Sequence, residues 1–156
     1  MTQASIYTMA SGPVKKGRAW LIYVLSSEGT RGEASKIFKA MAPALTGRTA
    51  QLMVAVLAFR RFNKPCRIDL YTEWAAFPEL LSRVPEWKKN GWKTAKGSRV
   101  VDRDLLEELD GYMQKYDVTI HVGEHHGYRK WMLGEIEEAK DGKRGDFVTL
   151  KSRGTA

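Results

Sequence analysis

The chain is 156 residues long and 43% hydrophobic, enough to bury one core and too apolar for a disordered chain. Its 26 Lys and Arg outnumber 18 Asp and Glu for a net charge of +8, which favours a polyanionic partner, either nucleic acid or an acidic membrane face. No run reaches the roughly 18 apolar residues of a membrane span; the polar start at residues 1–5 predicts no signal peptide, and the lone Cys66 excludes an internal disulfide, so a cytoplasmic location is expected.

Residues 5–8 read as a short strand, closed by a turn at Gly12 and Pro13 and followed by the basic Lys15-Lys16-Gly17-Arg18. The run 19–25 is apolar and rich in aromatic and β-branched residues, as in a buried strand. A turn over 26–32 leads into a third strand over 33–41. Residues 52–59 are all apolar, which periodicity alone leaves between helix and strand. The flanks decide for a buried helix: Thr46 or Thr49 caps the start, Arg60 and Arg61 suit the end, and Asn63 with Pro65 stops it. Arg67, Ile68, Asp69 and Leu70 alternate in a strand that delivers Glu73 at its C-terminal end. A helix over 75–83 has Pro78 in its first turn, and a loop rich in Trp and Lys covers 84–101. Asp102 caps the next helix, whose Leu105, Leu106, Leu109, Tyr112 and Met113 share one face. Val118, Ile120 and Val122 alternate on a last strand, with His121 pointing away from the apolar side, and residues 128–140 form a final helix.

This order predicts a single α/β domain over residues 4–140, a mixed five-stranded sheet flanked by helices. Residues 141–156 are polar and contain glycine, and are expected as a flexible tail.

Several segments together resemble the ribonuclease H family, in particular its type 1, bacterial-like members. Ile6-Tyr7-Thr8-Met9-Ala10-Ser11 resembles the family's first strand, with Met9 where an Asp would stand. Gln51-Leu52-Met53 resembles the helix that carries a Glu, with Gln51 in its place. Leu70-Tyr71-Thr72-Glu73 resembles the strand ending in the second Asp, and the spacing from Gln51 to Glu73 needs no gap. Trp87-Lys88-Lys89-Asn90-Gly91-Trp92-Lys93-Thr94-Ala95, leading to Asp102-Arg103-Asp104-Leu105, is similar to the basic protrusion and its following helix. His125-His126-Gly127 and the helix through Glu135 resemble the His loop and last acidic ligand.

The resemblance implies two-metal hydrolysis of RNA in RNA/DNA hybrids, with Glu73, Glu135 and His126 as the catalytic set, Glu73 and Glu135 as metal ligands, and Met9 and Gln51 as degenerate positions. Two Mg²⁺ ions about 3.5–4 Å apart would serve the attacking and leaving oxygens. Their mutual repulsion, on the order of 16 kcal/mol at an effective dielectric near 20, must be offset by clustered anions. Met9 offers a thioether, which hardly binds Mg²⁺, and Gln51 offers a neutral carbonyl. Efficient hydrolysis is therefore not expected, and no cofactor is needed for binding, with Mg²⁺ or Mn²⁺ serving any residual catalysis. Without the resemblance, Gln51 reads as a buried hydrogen-bonded amide, Glu73 as a surface charge, and Glu135 with Glu137 and Glu138 as a solvated acidic face. His121, Glu124, His125 and His126 lack standard zinc spacing.

In the basic loop, Lys88, Lys89, Lys93, Lys96 and Arg99 are interleaved with Trp87 and Trp92 beside a single acid, Glu86. The cations suit phosphates, and the indoles either brace the loop or touch sugars and bases. Three functions stay open: a binder of RNA/DNA hybrid or double-stranded RNA with little or no hydrolysis, a working hybrid-specific nuclease with altered ligands, and a protein-interaction module using Phe147-Val148-Thr149-Leu150 as a docking strand.

Overall fold

The apolar, β-branched segments near the N-terminus pair as an antiparallel meander: β1 (Thr2–Ser11), β2 (Gly17–Gly29) and β3 (Gly32–Leu45). The computed structural model describes residues 2–13, 15–29, 32–64, 66–143 and 145–151. All three strands are longer than the sequence pattern indicates, because β2 and β3 continue as a ribbon through Gly29 and Gly32, where polar residues read locally as a turn.

Helix α1 (Gly47–Phe59) follows, with Thr46 as its N-cap accepting the Thr49 backbone N–H at 3.2 Å. Every residue from Leu52 to Phe59 is buried, as expected of a helix apolar all round. The start of α1 lies close against the end of β1: Gly47 N–H donates to the Pro13 carbonyl at 2.8 Å, and a Cβ on Gly47 would stand 2.9 Å from the Gly12 oxygen. That approach requires glycine. The expected stop at Pro65 lies outside the described residues.

The second half adds β4 (Cys66–Thr72), α2 (Phe77–Ser82), α3 (Val84–Lys89), α4 (Arg103–Lys115), β5 (Asp117–Val122) and α5 (Arg129–Lys140). Pro78 sits in the first turn of α2 as predicted. The segment read as loop from residue 84 instead opens with α3, which also has a proline, Pro85, in its first turn. Asp102 occupies the N-cap position of α4 without capping it by its side chain. Its backbone is left-handed, with φ of 64°, and the buried carboxylate accepts from the Thr49 hydroxyl at 3.1 and 3.2 Å. Asp102 thus ties α4 to α1 across the core.

Strand order in the sheet is β5-β4-β1-β2-β3-β6, with β4 parallel to β1 and to β5. The sixth strand, β6 (Val148–Thr149), corrects the five-strand expectation and the loose tail together. It pairs parallel with Ala40 and Met41, Leu150 N–H donates to the Met41 carbonyl at 2.8 Å, and Leu150 is buried. The segment proposed to dock a partner is therefore held by this chain's own β3; residues 152–156 lie outside the described residues.

Helices α1 and α4 cover one face of the sheet over the main core. Helix α5 covers the other, where Met9, Ile22, Met132 and Ile136 form a second, smaller cluster.

Candidate functional site

Sheet register brings three side chains into one row beneath α5. Met9 on β1 is opposite Ile22 on β2, which is opposite Lys39 on β3. Met9 is 7% exposed and belongs to the apolar cluster, so its thioether serves packing. Glu135 projects from α5 onto this row and is 4% exposed. Its Oε1 accepts from Lys39 Nζ at 3.1 Å. Lys39 also pairs with Asp146, just before β6. Burial works against the Lys39 charge, but the hydrogen bonds to Asp146 and Glu135 outweigh it and raise its pKa.

Glu73 follows β4 and pairs with Arg129 at the start of α5. Gln51 on α1 uses its amide N–H to donate to the Ala10 carbonyl at 3.2 Å, a link from helix to β1. The four positions thus present a packed thioether, a donating amide and two carboxylates that already hold cations of this chain. That donor set does not fit a pair of hard divalent ions, which need several uncommitted anionic oxygens. Among the described residues, no three His, Cys, Asp or Glu side chains converge as a metal-holding group.

His126 lies beside these groups and is packed against them. It is 9% exposed, packs on Tyr7 with ring centroids 4.7 Å apart, and accepts the Tyr128 backbone N–H on Nδ1 at 3.2 Å. Burial lowers its pKa, with Arg129 and His125 acting in the same sense against Glu73. The exposed neighbour is His125. His121, expected to face solvent, is also largely covered. It stacks on Tyr71 at 4.5 Å and stands between Asp69 (2.9 Å) and Glu124 (2.7 Å), whose hydrogen bonds raise its pKa.

These two imidazoles act on stability with opposite signs. The His121 contribution is complete below the ordinary pKa near 6.5 and is lost as pH rises through its higher folded value. The His126 contribution is complete above that ordinary value and is lost as pH falls towards its lower folded one. NMR titration is expected to place the two on opposite sides of 6.5. A His121→Gln variant should lose stability relative to the parent near pH 5.5 and much less near pH 8; equal losses at both would show that the charged form gains nothing from Asp69 and Glu124.

The basic loop is a small, ordered hairpin. Lys93 and Arg99 form a bridge, Thr94 N–H donates to the Ser98 carbonyl at 2.7 Å, and Gly97 takes φ of 83° at the turn. Trp92 is buried with the Arg103 guanidinium 5.4 Å from its ring centre, and Trp87 packs on the main core. Both indoles therefore pack inward and brace the loop, the first of the two roles open to them. Lys88 is paired with Asp110. Lys89, Lys93, Lys96 and Arg99 are exposed and have no acidic partner among the described residues.

Sequence reading missed Lys39 and Arg129. Lys39 left one signal, a cation spaced two residues from Ile37 and from Met41 on the same side of a strand. Arg129 left none, being one of several charges in its segment.

With this geometry in hand, comparison with known proteins is specific. The family model for RNase H matches residues 1–134. A ribonuclease H of Rhizobium johnstonii is 35% identical over 85 residues, which cover 53% of this chain and 56% of that protein. One from Rhodopseudomonas palustris is 32% identical over 99 residues, covering 62% and 64%. The alignments thus span a little over half the length of these relatives. Among solved structures, a type 1 RNase H with the type 2 active-site motif superposes with a TM-score of 0.71 at 16% identity, over 97% of this chain and 78% of that one. The foamy viral protease-reverse transcriptase, solved in complex with RNA/DNA hybrid, gives 0.61 at 13% identity, over 91% and 20%.

Proposed function

The chain belongs to the ribonuclease H family, and on that premise we propose that it grips RNA/DNA hybrid, or another nucleic-acid duplex, with little or no hydrolysis. The observation that carries this reading is the pairing of both remaining acids with cations of the same chain, Glu135 with Lys39 and Glu73 with Arg129. Each pair offsets a negative charge that a two-metal site would use to hold its ions. The exposed cations of the hairpin, Lys89, Lys93, Lys96 and Arg99, supply the grip on phosphates. Recognition by backbone shape and 2′-hydroxyls follows from having no exposed indole there to read bases.

The test is incubation of the protein with labelled hybrid in Mg²⁺ and in Mn²⁺, with binding measured in parallel. Salt-sensitive binding without cleavage is expected. A Met9→Asp, Gln51→Glu variant is expected to stay inactive as well, because Lys39 and Arg129 still occupy Glu135 and Glu73. Cleavage by the parent that disappears in Glu73→Gln would overturn the proposal.

A further inference from the structure

Strand β6 is the shortest element of the sheet, two residues paired in parallel with Ala40 and Met41 of β3. Its contacts are those of a peptide added to a sheet edge. Leu150 N–H donates to the Met41 carbonyl at 2.8 Å, and the Leu150 side chain is 4% exposed in the main core. Phe147 packs on the smaller cluster under α5, and Asp146 pairs with Lys39. An acid and a leucine four residues apart are thus the anchors, whereas Val148 between them is 64% exposed. The connection back to α5 passes through Gly142 and Gly145, each with open space where a side chain would stand.

This segment fills only part of the β3 edge. Residues 34–37 of β3 pair with β2 on one side and with no strand among the described residues on the other. Ile37 there is 50% exposed. A cavity of about 280 Å³ opens beside it, lined by Tyr23, Phe38 and Leu57. Arg61 closes its rim, with the guanidinium 4.1 Å from the Phe38 ring centre and no acidic partner among the described residues. An unpaired strand edge is a template for another strand. The exposed Lys36 on this one opposes pairing with a second copy of a basic chain and, with Arg61, favours an acidic strand.

From this we infer that the β3 edge is a strand-docking site, held in cis by β6 and open in trans to an acidic extended segment of another protein. That segment carries an acid for Lys39 and, four residues later, an apolar side chain for the place of Leu150. Residues before its acid continue along the free edge, over the cavity at Arg61. Strand β6 competes as a tethered ligand at an effective concentration on the order of 1 mM. A segment that makes only the same contacts is therefore kept out, and one that also fills the cavity displaces it. Neither the basic hairpin nor a bound metal takes part, so this inference goes beyond the duplex grip and survives its failure.

Fluorescence anisotropy of the full chain is measured with a labelled peptide copying residues 145–151, and with the same peptide extended before its acid by glutamate, leucine and glutamate. Two variants release β6: Leu150→Asp, and Val148→Pro with Thr149→Pro, which removes strand N–H groups at exposed side chains. Circular dichroism and thermal unfolding identify which of them is folded. The copied peptide is expected to bind the folded released variants at least tenfold more tightly than the parent. Serine in place of its leucine should weaken it at least tenfold, and an amide in place of its acid about threefold. The extended peptide is expected to bind the parent at least tenfold more tightly than the copy does, and Lys89→Gln with Lys93→Gln to leave every affinity unchanged. Equal binding to the parent and the released variants, absence of saturation in both, or no gain from the extension would overturn the inference. Concentration-dependent dimerisation of the parent, abolished by Val148→Pro with Thr149→Pro, would make the occupant a second copy and overturn the assignment to a foreign segment.

Discussion

Replacing Lys39 by Met is expected to cost about 3 kcal/mol of unfolding free energy, near the low end of the roughly 3–5 kcal/mol lost when one partner of a buried ion pair is removed. The argument is one of burial. Glu135 has a side chain only 5% exposed and Lys39 one only 14% exposed, so water does little to compensate the carboxylate once the ammonium is gone. The low end applies because Asp146, the other partner of Lys39, is 51% exposed and is readily solvated. Methionine keeps the length and the apolar stem, so the loss reports charge rather than volume. Adding Glu135→Gln to Lys39→Met should recover most of the stability, because the amide carries no charge to strand. Urea unfolding at neutral pH measures all three proteins. A loss below about 1 kcal/mol for Lys39→Met would mean that Glu135 is effectively solvated and available to an ion, and the proposed loss of metal chemistry would fall with it.

Converting Lys89, Lys93, Lys96 and Arg99 together to Gln is expected to abolish tight duplex binding while leaving the fold intact. Each cation that neutralises a phosphate contributes about −0.9 to the slope of log affinity against log salt on B-form duplex, so four should make the slope shallower by about 3 to 4. Near 0.15 M salt that corresponds to a loss on the order of 10³-fold. Lys88→Gln alone should change binding little, since Asp110 already holds that ammonium. Filter binding at several salt concentrations reads both quantities. An unchanged slope in the fourfold variant would place the duplex elsewhere on the surface.

The failed expectations share a cause. Helix α3 was read as loop because Val84–Lys89 is a single short segment with Pro85 and two lysines, too brief for any periodicity to show. Strand β6 has two residues, and only its pairing with Ala40 and Met41 makes it a strand. Asp102 has the residue type of a cap, but its carboxylate turns to Thr49, which local sequence does not place nearby. For Trp92 the sequence left bracing and nucleic-acid contact both open. A left-handed backbone at Trp92 itself, with φ of 61°, and the Arg103 side chain hold it buried.

The amino-acid sequence by itself determined the α/β architecture and the order of its principal elements, because apolar runs and caps are local properties written along the chain. What Glu135 and Glu73 pair with was decided only in three dimensions. Glu135 meets Lys39 across 96 residues, and Glu73 meets Arg129 across 56. Whether a carboxylate binds a metal ion or a neighbouring cation depends on which charge the fold carries to within about 3–4 Å of it, and Coulomb attraction acts on distance in space, not on separation in sequence.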